Sequence, residues 1–172
     1  HHFTHITDEK PAIWIDKSEG TDFLRNKEIG RINSVQRHSG QSSNQNITPK
    51  IDPEDYRLVW RVQTNATNTR TLISTVLPKN VFLGHSINFL RTSIYLPNGY
   101  TRPLSYEEIL FVCGMFNSFT IDYILRHTIV SNLTLNFMKE LPIPRFDKTN
   151  DLHKKIFTNS AMLICTTDEY KE

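Results

Sequence analysis

The chain has 172 residues, 38% of them apolar and 10% aromatic, which is enough to bury a core, and its 22% charged residues are ordinary for a globular domain. The net charge is only +2, and no apolar run approaches membrane length. No charged-then-apolar leader opens the chain, so a cytoplasmic setting without membrane is expected.

Cys113 and Cys165 each sit among apolar neighbours and read as buried free thiols. The sequence begins at His1-His2-Phe3 without an initiator Met, so a piece of a longer protein is expected. Phe3 to Asp8 reads as a short strand, and Ala12-Ile13-Trp14-Ile15 as a buried one. Thr21-Asp22 is placed to cap a short helix through Asn26, with Gly30 ending it. Gln36 to Lys50 has one large apolar residue, Ile47, and reads as a long exposed loop.

Asp52-Pro53-Glu54-Asp55 is a turn. Tyr56, Leu58, Trp60 and Val62 alternate with more polar positions, which predicts a half-buried strand with Arg57 and Arg61 on its outer face. Leu72 to Leu77 is the next strand, and Val81-Phe82-Leu83 and Ile87 to Tyr95 are further extended segments. Pro97-Asn98-Gly99 is a turn signal. Ser105 with Glu108 is a capping-box pattern that opens a buried helix. Asn117-Ser118 interrupts it, and Ser118 caps a second helix. Asn136 is read as the cap of one turn, Phe137 to Leu141, which Pro142 stops. A last helix is expected from Asp151 to about Thr166, with Leu152, Ile156, Phe157, Met162 and Cys165 on its apolar face. Strands before helices favour an α+β fold. The expected organisation is a mixed or antiparallel β-rich part over residues 1–104 and a helical scaffold over 105–172, together one domain.

The stretch from Tyr56 to Tyr106 holds no Asp or Glu, yet it carries Arg57, Arg61, Arg70, Lys79, Arg91 and Arg102. A surface built from it would suit a polyanion, and its polar centre, Thr64 to Thr71, is rich in amides and hydroxyls that donate to phosphates or base edges. Phosphate-cradling, nucleophile-elbow and metal-binding motifs are absent. Asp52, Glu54 and Asp55 invite a metal-nuclease reading, but the Glu-x-Lys half of such a site is missing and a solvated turn is favoured. His1, His2 and His5 read as a frayed or tag-derived end, and Asp122 as surface or interface charge.

Four groups of residues then carry a resemblance. They are Tyr56-Arg57-Leu58-Val59-Trp60-Arg61 and Thr67-Asn68-Thr69-Arg70-Thr71-Leu72-Ile73 with Val76-Leu77-Pro78; Ala12-Ile13-Trp14-Ile15 with the opening His2-Phe3-Thr4-His5; Phe116-Asn117-Ser118 through Asp122-Tyr123-Ile124-Leu125-Arg126; and Leu135-Asn136-Phe137 with Leu141-Pro142-Ile143-Pro144. In chain order they resemble the C-terminal specificity, or target recognition, domain of adenine-specific DNA methyltransferases of single-chain Type II restriction–modification enzymes and related phage-defence methylases. Residues 20–50 match nothing in that pattern, nor does the chain hold the family's methyl-donor pocket or its Pro-Pro-aromatic motif.

The resemblance implies a DNA-reading fragment whose catalytic domain lies upstream. The expected partners are double-stranded DNA and that catalytic domain. No cofactor is expected here, whereas the parent enzyme would take S-adenosylmethionine. Arg61, Asn65, Thr67, Asn68, Arg70, Lys79 and Arg91 are the expected contacts to the DNA backbone. Arg25, Lys27, Arg31, Arg37, His38, Gln41, Asn44 and Gln45, in the unmatched segment, are the candidates for base readout. A protein-interaction module and a small metal-dependent nuclease are the alternatives.

Overall fold

The computed structural model describes residues 16–39, 47–129 and 131–170. The expected strands at 3–8 and 12–15, and Gln41, Asn44 and Gln45, lie outside the described residues. The architecture is α+β, as expected. A long helix α1 (Lys17–His38) precedes strands β1 (Arg57–Arg61), β2 (Ser74–Leu77), β3 (Ile87–Phe89), β4 (Ile94–Leu96) and β5 (Gly99–Thr101). Helices α2 (Tyr106–Phe116), α3 (Phe119–Thr128), α4 (Leu135–Lys139) and α5 (Asp151–Ile164) follow.

The first correction concerns α1. Residues 21–35 do not form a short helix that stops at Gly30, and the following residues do not begin a loop at Gln36. Asp16 caps the helix by accepting from the Ser18 and Glu19 N–H groups, and 22 residues then stay helical. Its buried stripe is Glu28, Ile32 and Gln36, at i, i+4 and i+8. Two of those three are polar, so the helix gives no apolar period. Gly30 lies within α1 on its exposed side, and a Cβ there would meet nothing within 4 Å. Gly30→Ala is therefore expected to stabilise the protein by about 0.5–1 kcal/mol through helix propensity alone. A rise in the urea midpoint at constant m is the readout; a fall would contradict the helical placement.

β1 is the centre of a three-stranded antiparallel sheet in the order β2-β1-β3, with Leu58 opposite Val76 and Trp60 opposite both Ser74 and Asn88. It is covered on both faces, which corrects the half-buried reading. Leu58 and Trp60 face α2, α3 and the Leu133 segment within the main core. Trp60 meets the Phe116 ring edge-on and donates its indole N–H to the Leu133 carbonyl at 3.2 Å. On the other face Arg57 is only 2% exposed. It donates to the Val81 carbonyl and lies over the Phe89 ring. Burial pulls its pKa below the ordinary value, opposed by the nearby charge of Asp52.

The turn at Pro97-Asn98 closes a separate hairpin, with Tyr95 opposite Tyr100. Val81 to Leu83 is not a strand, and the 87–95 run breaks into β3 and β4. The Ser105–Glu108 capping box forms as expected, and Ser118 caps α3. α4 begins one residue before Asn136, behind Thr134.

α5 presents Ile156, Ser160 and Ile164 inward and Phe157 against the Phe146 ring, so Ile156 and Phe157 lie on the buried side as expected, while Leu152, Met162 and Cys165 are exposed. Ser160 sits on the face because α2 offers Gly114 there, and only a small residue fits opposite it. The Cys165 thiol is exposed; Cys113 is buried and pushed up to about 11 by desolvation. No single helix among the described residues is long and apolar enough to cross a membrane.

Candidate functional site

The acid-free stretch does not become an acid-free surface. Among the described residues four carboxylates from outside it are buried, and each meets the stretch. Glu28 of α1 binds Arg91 at 2.7 Å, and Arg31 of its own helix. Asp52 accepts from the Thr92 N–H and hydroxyl, both at 3.1 Å. Asp55 accepts from Arg102 and, at 2.7 Å, from the Tyr106 hydroxyl. Asp122 serves Arg70 and Arg126. Asp52 and Asp55 of the 52–55 turn are therefore not solvated, whereas Glu54 is exposed, and Asp122 is not a surface charge. A buried carboxylate is expensive unless it is paired or hydrogen-bonded: Glu28, Asp55 and Asp122 are paired with arginines, and Asp52 is hydrogen-bonded by Thr92.

The seven expected backbone contacts separate accordingly. Arg91 is held by Glu28, and the Lys79 ammonium lies 5.0 Å above the Tyr56 ring. The alternation of β1 puts Arg61 on the face opposite Trp60, where its Nε is buried without a hydrogen-bond partner among the described residues. Asn65, Thr67, Asn68 and Arg70 come together on the loop that joins β1 to β2.

That loop is built from the inside. Asn65 Oδ1 accepts from the Thr67 N–H at 3.1 Å, the Thr67 hydroxyl at 2.7 Å and the Asn68 N–H at 3.0 Å, which folds the chain into an Asx turn. The Asn68 amide donates back to the Thr64 hydroxyl, which itself donates to the Thr71 carbonyl. The loop then docks on α3. Asp122 Oδ1 accepts from the Thr71 N–H at 2.8 Å and the Leu72 N–H at 3.1 Å. Its other oxygen takes Arg126 Nε at 3.0 Å, and Arg126 in turn donates to the carbonyls of Ala66, Asn68 and Thr69. Arg70 completes the clamp by donating to the Asn117 carbonyl at 2.7 Å. Burial acts to raise the Asp122 pKa. The hydrogen bonds from Leu72, Arg126 and Thr71, with the Arg70 charge, outweigh it and hold the carboxyl below its ordinary value.

Beside this clamp two aromatic side chains of α3 face solvent. Phe119 is 83% exposed and Tyr123 65% exposed. Arg70 lies over the Phe119 ring at 5.2 Å, and His127 meets Tyr123 edge-on at 4.6 Å. A shallow cavity of about 440 Å³ is lined by Thr69, Arg70, Phe119, Asp122, Tyr123 and Arg126.

No family model, curated protein or solved structure shows significant similarity to this chain.

The described base-readout candidates, Arg25, Lys27, Arg31, Arg37 and His38, lie on α1. Arg25 is 3.9 Å from Asp22, and Arg31 is taken up by Glu28. Arg37 and His38 bond the Asn33 and Ser34 carbonyls in the last helical turn, where cations also suit the helix dipole. Lys27 is exposed on the same helix. Among the described residues no three His, Cys, Asp or Glu side chains converge as a metal site would need.

Sequence reading missed Asp122, Arg126, Phe119 and Tyr123 as site residues. One signal was present: Asp122 is the single acid between Glu108 and Glu140. A lone carboxylate in so apolar a stretch needs a partner of opposite charge.

Proposed function

We propose that the chain is the DNA-reading domain of an adenine-N6 DNA methyltransferase of the restriction–modification type, presenting duplex DNA to a catalytic domain upstream in the same protein. The observation that carries this reading is the convergence on Asp122 of two segments far apart in sequence, Thr67–Ile73 and Phe116–Arg126. Both belong to the resemblance, and one carboxylate binds them into one rigid unit. Asn65, Thr67 and Asn68 shape the loop, and Arg70 is the cation it offers to a phosphate. The outward side chains of α1, Arg25, Lys27 and Arg37, are the candidates for base edges, now from a helix of the kind a major groove admits. S-adenosylmethionine belongs to the catalytic domain; this chain holds and orients the duplex. The setting is bacterial and cytoplasmic on this reading.

A labelled duplex titrated with the chain at increasing salt tests it. Affinity should fall linearly on logarithmic axes, and Arg70→Gln should reduce the slope by about one. Arg61→Gln reports whether contact continues round the sheet. Absence of salt-dependent duplex binding overturns the reading. The protein-interaction alternative draws on the exposed Leu152, Met162 and Leu163 of α5. It predicts an associating surface with no dependence on Arg70.

A further inference from the structure

Phe119, Tyr123 and His127 stand at i, i+4 and i+8 on α3, so they form one row along a single helix face. All three are exposed. An 83% exposed Phe buries little apolar area on folding, and the row is not needed for the core, which α3 serves with Ile121 and Leu125 on its other side. The charges around the row are one-sided. Arg70 and Arg126 line the cavity beside it, and the one acid there, Asp122, is 4% exposed and fully engaged. The surface therefore shows guanidinium and aromatic faces but no open carboxylate among the lining residues. Arg70 lies over the Phe119 ring, and with so much of the side chain exposed the ring remains open to a second planar partner.

From this geometry we infer that the Phe119–Tyr123–His127 row is a stacking platform for unpaired DNA bases, with Arg70 neutralising the adjoining phosphate. The inference rests on the DNA-reading function above and makes it narrower: the ligand at α3 is a nucleotide out of the duplex stack, not a paired groove edge. Aromatic rings stack on any base, so the platform is indifferent to sequence and supplies affinity for distorted DNA. Chemistry on a base requires that it leave the stack, which gives a reading domain a reason to hold the opened region.

The experiment compares the chain's affinity for a fully paired duplex with that for the same duplex carrying a central unpaired stretch labelled with 2-aminopurine. The wild-type chain should favour the unpaired form and quench the label. Phe119→Ala should lose about tenfold in affinity for the unpaired form while duplex binding changes little. Phe119→Trp should retain the preference. Phe119→Leu keeps apolar area without a stacking face and should behave as the Ala variant does. Phe23→Ala removes another exposed ring, on α1, and should not alter the preference for unpaired DNA. If Phe119→Leu binds as well as wild type, or if no preference for unpaired DNA exists, the platform is refuted while salt-dependent duplex binding keeps the domain reading intact. If neither DNA binds, both fall together. Every substituted position is exposed, so loss of folding does not confuse the result.

Discussion

Asp122→Ala is expected to cost about 3 kcal/mol and to release the β1–β2 loop. The carboxylate accepts two backbone N–H groups and two guanidiniums, so its removal leaves Thr71 and Leu72 with unpaired donors under the surface and two arginines without their counter-charge. Breaking a buried pair by deleting one partner costs about 3–5 kcal/mol, and the shallow position of this carboxylate puts the estimate at the lower end. Asp122→Asn keeps the shape and one acceptor oxygen but neither the charge nor the second oxygen, so it should lose less. Hydrogen exchange at the Thr71 and Leu72 amides should rise in both variants before the rest of the sheet loosens. The same group sets a pH response. Its folded pKa is held below the ordinary carboxyl value, so its stabilisation is complete above about 4 and is lost as pH falls from there through the folded value. Acid unfolding of the Asn variant should lack that component. Equal acid profiles for wild type and Asp122→Asn would show that the clamp carries no charge-dependent energy.

How much of this was legible in the sequence depended on where the signal was written. Helix ends are local chemistry, and Ser105, Glu108 and Ser118 announced α2 and α3 without help from the rest of the chain. β1 showed its alternation, but alternation cannot tell whether water or a second layer covers the polar positions. Arg57 is buried against the Phe89 ring and the Val81 carbonyl of the loop after β2. α1 itself was hidden because its buried stripe is Glu28, Ile32 and Gln36, two of which are polar. Its place is fixed by an ion pair to Arg91, 63 residues away, and no window of sequence contains both. The same physics undid the acid-free surface. Charge segregated along a chain is not charge segregated in space, since a buried arginine recruits whichever carboxylate the fold brings near. Of the expected backbone contacts, only those within the continuous Asn65–Arg70 loop kept together, because an Asx turn binds its own neighbours.

Gly114→Ala should destabilise the α2–α5 pair although alanine is the better helix former. The propensity gain at a helix interior is about 1 kcal/mol. Against it stands a Cβ that would lie 2.7 Å from Ile156 Cγ2 and closer still to the Ser160 hydroxyl. No real Cβ tolerates such distances, so α5 must move or both side chains must turn. Overpacking a fitted contact costs about 1–3 kcal/mol, which leaves a net loss of about 1 kcal/mol for alanine. Gly114→Leu cannot be absorbed by side-chain rotation and should lose about 3 kcal/mol or more, the upper end of that range. The diagnostic is coupling. Ser160→Gly removes one of the two clashing groups, so Gly114→Ala should be milder on that background than on wild type, and a double-mutant cycle reads the difference directly. Strictly additive effects would mean that α2 and α5 do not meet at these two residues. The same close approach makes Ser160, not Met162, the centre of the buried face of α5, and it leaves Leu152, Met162 and Leu163 to face outward. Separating α5 from α2 should also spread to Tyr170, which follows α5, bonds the Val76 carbonyl of β2 at 2.7 Å and stacks on Tyr56. The C-terminal helix thus reaches the central sheet by two routes, and loosening the first at Gly114 should weaken the second.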